Sequence, residues 1–303
     1  MSAPVPVLSR RALLSGIPAA AVTRETSATG FDVLELPVES TKILGRSLLV
    51  ITPRRRADPK SLPVVVLLHG LGETRDQRAG LFAWLGPYGL GRAWERLEHP
   101  PLAREREAFV TDTEYAELNR SLSDEPFQGV IAVCPFMPNP YASQDSATRL
   151  ELYARALVEE ALPAVRARVP AAAPDAARTC IAGVSLGGAV ALEVLVRRPG
   201  AFGALGTVQG AYGKHLAPVL ARRIAEAGAP RAAYVATSSG DPYRAANVEL
   251  ANQLEKQNIP AHRSLRSGPH SQGWLIEIGS LELLLWCDRA LRGQAPTRKR
   301  DAS

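Results

Sequence analysis

The stretch Cys180 to Val196, CIAGVSLGGAVALEVLV, constrains this chain more than any other. An apolar run turns through Gly183-Val184-Ser185-Leu186-Gly187 and continues with apolar residues at helical spacing. A strand that becomes a helix through one serine needs a sharp turn. Backbone then packs too closely for a Cβ on either flank, and the serine takes a strained conformation. Its hydroxyl stands clear of the sheet, over the first turn of the helix, where the dipole and free N–H groups favour developing negative charge. A serine in that place can serve as a nucleophile or simply cap the helix. The rest of the sequence bears on which.

The surrounding pattern alternates. Pro63 to Gly70, PVVVLLHG, is an uninterrupted β-branched and leucine run, as in a strand buried on both faces. GVIAVCP, RTCIAGV and RAAYVAT read the same way, and AHRSLRS as a weaker edge strand. FDVLELPV and GRSLLVITP read as an antiparallel pair near the start. Helical patterns run over Ala147 to Arg168, Leu186 to Arg198, Tyr243 to Gln257 and Leu275 to Arg292. Strands alternating with amphipathic helices predict an α/β fold: a mostly parallel sheet with helices on both faces. The 303 residues, 46% hydrophobic, can fill one large core, read over residues 31–292. No apolar stretch is long enough to cross a bilayer.

Residues 72–128 exceed what a strand-to-helix connection needs. They hold Trp84, Tyr88 and Trp94 and two helix-like stretches, and read either as a connecting helix with an inserted lid or as a packing layer. Residues 1–30 contain Ser9-Arg10-Arg11-Ala12-Leu13-Leu14, a short apolar run and small residues near Ala19 to Ala21. That is the form of a twin-arginine export signal, predicting a periplasmic or extracellular protein, with a basic leader on a cytoplasmic one as the alternative. Residues 293–303 form a basic tail. The net charge of +6 is spread in short arginine clusters without interleaved aromatics, which argues against a nucleic-acid partner. Cys134, Cys180 and Cys287 have no metal-type spacing, and no metal or organic cofactor is called for.

A serine nucleophile needs a base. Of the five histidines, His270 stands in SGPHSQGW, a loop between the last strand and the last helix, and is the best placed. His69 ends an early strand, His99 falls in the insertion, His215 follows the wrong element and His262 opens a late strand. An imidazole base needs a carboxylate to hold its tautomer. Asp241 follows a buried strand at its C-terminal end, where side chains of open parallel sheets meet ligands. Its alternative is a turn aspartate before Pro242, and Glu277 and Asp288 fit worse inside the last helix. Two N–H donors for an oxyanion follow: Leu186, next after the serine, and Leu71, in the loop opened by His69-Gly70. His69 is expected to shape that loop, with a plain strand-end histidine as its alternative, and His69, Gly70 and Trp274 are candidates to line the substrate.

The pieces VVVLLHGLGE, IAGVSLGGAVALEVLVRRPGAFGAL, SSGDPYRAANVELANQLEKQNIP and SGPHSQGWLIEI resemble the putative-esterase family of the α/β-hydrolase superfamily, which includes enterochelin esterases, S-formylglutathione hydrolase and feruloyl esterases. The second piece resembles that family's nucleophile turn followed by a Pro-x-x-Phe approach to a strand. The third resembles its acid loop, and the fourth its base loop, with Trp274 in the tryptophan position. The likeness spans about Phe31 to Leu291 and is weak over 72–128, and Gly268-Pro269 stands where many relatives have two glycines. The resemblance implies an α/β-hydrolase fold and a serine esterase acting on a small-molecule ester through Ser185, His270 and Asp241. An acyltransferase, a peptidase, or a binding protein on the same scaffold remain the alternatives.

Overall fold

The structure, a computed structural model, describes residues 30–54, 61–105, 108–228 and 230–293. The leader and tail fall outside the described residues, apart from Gly30 and Gly293. The chain begins with β1 (Phe31–Pro37), α1 (Thr41–Leu44), β2 (Ser47–Pro53) and β3 (Val64–Leu68). Next come α2 (Gln77–Phe82), α3 (Leu90–Glu98), α4 (Asp112–Asp124) and β4 (Ile131–Pro135). Then follow α5 (Ser146–Ala156), α6 (Leu162–Arg168), β5 (Thr179–Val184), α7 (Leu186–Arg197), β6 (Ala204–Val208) and α8 (Ala217–Gly228). The chain closes with β7 (Ala232–Gly240), α9 (Arg244–Lys256), β8 (Ala261–Pro269), α10 (Gln272–Trp274) and α11 (Ser280–Leu291).

The eight strands form one sheet in the order β1-β2-β4-β3-β5-β6-β7-β8. β1 and β2 pair antiparallel, as do β2 and β4, and every later neighbour pair is parallel. Period-two alternation divides the strand side chains between two buried layers. Val64, Val66, Leu68, Ile181 and Leu205 face one way, into a core shared with α5 to α9. Val65, Leu67, Cys180, Ala182 and Val208 face the other way, into a core shared with α2, α3, α4 and α11. Central strands buried on both faces must read as continuous apolar runs, and these do.

β6 and α8, like the short α1 and α2, are not marked by local pattern. β6 is ALGTV, weak in strand formers, and it is held by β5 and β7 pairing on its two sides. α8 starts with Ala217-Pro218, yet its buried residues Ala217, Leu220, Ala221 and Ile224 keep helical spacing. The long helix expected over residues 147–168 contains a π-helical turn at Leu157–Ala161. Pro163 just beyond has no N–H to give to the preceding turn, and the wider turn absorbs the gap.

Residues 72–128 carry α2, α3 and α4 in the layer that covers the second face. Trp84 and Trp94 have no exposed surface, and Tyr88, Leu97, Tyr115 and Leu122 are buried around them. Two acids of the last helical stretch tether the segment. Val110 N–H donates to Glu277 Oε1 at 3.1 Å, and Gln128 N–H donates to Asp288 Oδ2 at 2.8 Å. No helix among the described residues is long and apolar enough to cross a membrane.

Candidate active site

β5 delivers Ser185 into α7 with φ 54° and ψ −119°, a backbone that a side-chain-bearing residue rarely adopts. The flanking glycines are obligatory. A Cβ on Gly183 would come 2.3 Å from the Gly187 backbone, and one on Gly187 2.3 Å from the Leu68 carbonyl oxygen. The Ser185 side chain makes no capping hydrogen bond to α7. Its Oγ instead lies 3.2 Å from His270 Nε2. The backbone is pinned on both sides: Ser185 N–H donates to the Val208 carbonyl at 3.0 Å, and the Ser185 carbonyl accepts from Ala211 N–H at 2.9 Å.

His270 Nδ1 lies 2.9 Å from Asp241 Oδ1. A carboxylate only accepts, so Nδ1 carries the proton and Nε2 offers its lone pair to the serine hydroxyl. The imidazole keeps 26% of its surface exposed, whereas the Asp241 side chain has none. Burying a carboxylate is costly unless donors surround it. Besides His270, the Tyr243 N–H donates to Oδ1 at 3.0 Å and the Thr237 hydroxyl donates to Oδ2 at 2.6 Å. The Tyr243 ring meets the imidazole edge-on, with centroids 5.8 Å apart.

The loop after β3 runs beside the serine: a Cβ on Gly70 would lie 3.8 Å from Ser185 Cβ. The Gly70 carbonyl accepts from His69 Nδ1–H at 2.9 Å, and His69 Nε2 accepts from Met137 N–H at 2.9 Å. The Met137 N–H fixes the tautomer, and burial lowers the His69 pKa, so the ring stays neutral. In a trans peptide the N–H opposes the C=O, so the Leu71 N–H points away from His69. Gly70 N–H donates to the Tyr88 hydroxyl at 3.0 Å, and that hydroxyl donates to Glu73. Burial first, and the Glu73 carboxylate second, raise the Tyr88 pKa and keep the phenol protonated. The Leu71 carbonyl accepts from Thr74 N–H and Oγ1, which closes the turn, and its side chain is 57% exposed. At the other side of the serine, Leu186 N–H is the first of α7 and has no helical acceptor.

Ser185, Asp241 and His270 thus meet, with Leu186 and the Gly70-Leu71 peptide beside them. His69 and Trp274 do not line a substrate. Neither has exposed surface. His69 packs behind the β3 loop. Trp274 packs behind the base loop, with its indole N–H donating to the Ser267 carbonyl at 2.9 Å. Both rings therefore hold loops rather than contact a ligand. His99 and His215 are exposed elsewhere, and His262 stacks on Tyr234 with centroids 5.7 Å apart. Glu277 Oε1 and Asp288 Oδ2 accept the tethers described above, and Asp288 Oδ1 accepts from Arg292 Nε–H at 2.7 Å. Among the described residues no group of three or more His, Cys, Asp or Glu is arranged to hold a metal ion. Thr237, Tyr243, Tyr88 and Gln209 were not singled out for the site from the sequence. Thr237 sits at the buried end of β7 and Gln209 follows β6, and no motif marks either.

No protein-family model matches the chain, and no curated protein matches its sequence. Solved structures do match. An S-formylglutathione hydrolase from Agrobacterium tumefaciens superposes with a TM-score of 0.57 at 16% identity, covering 89% of this chain and 99% of that one. A ferulic acid esterase superposes with a TM-score of 0.56 at 16% identity, covering 84% and 96%. Ferric enterobactin esterase from Salmonella typhimurium superposes with a TM-score of 0.51 at 22% identity; 87% of this chain is covered, but only 60% of that longer one. With the eight-stranded, mostly parallel sheet flanked by helices, these likenesses show that the fold is the α/β-hydrolase fold.

Proposed function

We propose that this protein is a serine hydrolase that cleaves carboxylic esters through an acyl-enzyme. The observation that carries the reading is the hydrogen-bonded line from Ser185 Oγ through His270 to Asp241, with spans of 3.2 and 2.9 Å. His270 Nε2 removes the proton as Oγ attacks the ester carbonyl, and buried Asp241 stabilises the imidazolium that forms. The carbonyl oxygen becomes an oxyanion, for which the N–H groups of Leu186 and Leu71 are the donors. His270 returns the proton to the departing alcohol, and water then releases the acid by the same steps in reverse. The esterases among the solved structures of this fold support a small ester as substrate.

Purified wild type and the Ser185→Ala, His270→Ala and Cys134→Ala variants are compared on p-nitrophenyl acetate and with a fluorophosphonate label. Turnover and labelling are expected in wild type and Cys134→Ala, and loss of both in Ser185→Ala. Undiminished turnover in His270→Ala would remove the base assignment. The leader is read as an export signal, which N-terminal sequencing of the mature protein tests.

A further inference from the structure

We infer that Gln209 is a positioning residue that holds the general base: its side-chain amide clamps the carbonyl of Pro269, the residue just before His270. This rests on the ester-hydrolase reading and adds to it a residue that no motif predicts. Gln209 is the first residue beyond β6. It is 1% exposed, and its backbone has φ 47°, a left-handed conformation that a long side chain rarely takes. The conformation is held: Gln209 N–H donates to the Ala236 carbonyl at 2.7 Å. From there Nε2 donates to Pro269 O at 3.0 Å and to Ser238 Oγ at 2.7 Å. A carbonyl can only accept, so the amide nitrogen, not its oxygen, faces Pro269. Ser238 Oγ donates to the same carbonyl at 3.2 Å.

The placement explains why the clamp matters. Val208, one residue earlier, accepts the Ser185 N–H. Two adjacent residues therefore fix the nucleophile's backbone and the base's loop against each other. The pairing of β7 with β8 shifts register between Ser238 and Gly240 at this point, so the sheet ladder alone does not hold Pro269 in regular alignment. On its other side His270 is followed by Ser271, which caps α10 by accepting the Trp274 N–H. Removing the clamp frees one end of a short loop that must keep Nε2 within hydrogen-bond reach of Oγ.

Two variants of the full chain test this on p-nitrophenyl acetate. Gln209→Met keeps the volume and removes both donors. Its kcat is expected to fall by about tenfold or more with KM little changed, because misplacing a reacting group acts on the chemical step. Gln209→Glu sets an acceptor against Pro269 O when ionised and regains a donor when protonated. Its kcat relative to wild type is expected to rise as pH is lowered from about 8 to about 5, as a buried carboxyl gains its proton. A purely structural role gives no such pH-dependent rescue, and this ratio decides the matter if Gln209→Met fails to fold. Wild-type kcat in a folded Gln209→Met, a change confined to KM, or a pH-independent ratio overturns the clamp. Turnover that persists in Ser185→Ala defeats the reading of Ser185 as nucleophile on which this inference rests, whereas normal wild-type turnover with an indifferent Gln209→Met defeats only this inference.

Discussion

Asp241→Asn separates two things a buried carboxylate does for an imidazole: it sets the tautomer, and it stabilises the cation. All three neighbours of Asp241 donate to it, namely His270 Nδ1–H, Tyr243 N–H and the Thr237 hydroxyl. An asparagine amide brings a donor of its own and must aim it somewhere. Two of the three neighbours converge on Oδ1, and Tyr243 N–H can only donate. The hydroxyl of Thr237 can turn and accept instead. Asparagine therefore seats its nitrogen on Thr237 and keeps its oxygen toward His270, so the tautomer survives. What is lost is the charge. At a separation of about 4 Å and an effective dielectric constant of about 20, that interaction is worth about 4 kcal/mol. This corresponds to roughly a thousandfold in kcat. A reversed tautomer would cost about ten-thousandfold. Adding Thr237→Val strands the amide nitrogen in a buried site, at about 1–3 kcal/mol, and the double variant should fall further. The assay is steady-state hydrolysis of p-nitrophenyl acetate at one fixed pH for all variants, with His270→Ala as the floor. Asp241→Asn lying at that floor, or the double variant matching the single, would refute the orientation argument. Glu277→Gln costing more than Asp241→Asn would show that the acid was misassigned.

Two further outcomes follow from the packing. Trp94→Ala should destabilise the fold by about 3–5 kcal/mol in urea unfolding, because its fully buried ring meets Phe31 and Phe127; a segment acting only as a movable lid would change turnover and leave the midpoint alone. His262 is held below its ordinary pKa, chiefly by burial against Tyr234, with Arg266 also lowering it and Glu282 opposing. The unfolded chain then takes up this proton at about pH 6.5, before the folded one does, so stability present above that pH declines as pH falls toward the lower folded value. His262→Phe should retain the stack and flatten that decline in urea midpoints taken at about pH 7.5 and about pH 5. Equal pH slopes in the two proteins would refute the assignment.

Much of the molecule was written locally. The runs that became β3 and β4, and the stretches Cys180–Val184 of β5 and Ala232–Ala236 of β7, are apolar because both faces of each strand are covered. The turn at Ser185 was legible because a strand passing into a helix through one residue leaves room only for glycine at Gly183 and Gly187. Asp241 and His270 stood out by their place at the ends of strands. Other features left no such trace. β6 is a strand because its neighbours pair with it, not because Ala204-Leu205-Gly206 favours extended backbone. His69 and Trp274 carry chemistry that suits a ligand, yet both rings face inward, and only packing settled which way they point.

The sequence alone determined the alternation of strands and helices and the strained turn at Ser185, since each depends on near neighbours along the chain. Tertiary structure decided the rest. It set which carboxylate meets which imidazole, how Thr237 and Gln209 hold them, and how residues 72–128 close over a sheet face. Those are contacts between groups tens of residues apart, and no local pattern encodes a distance across the fold.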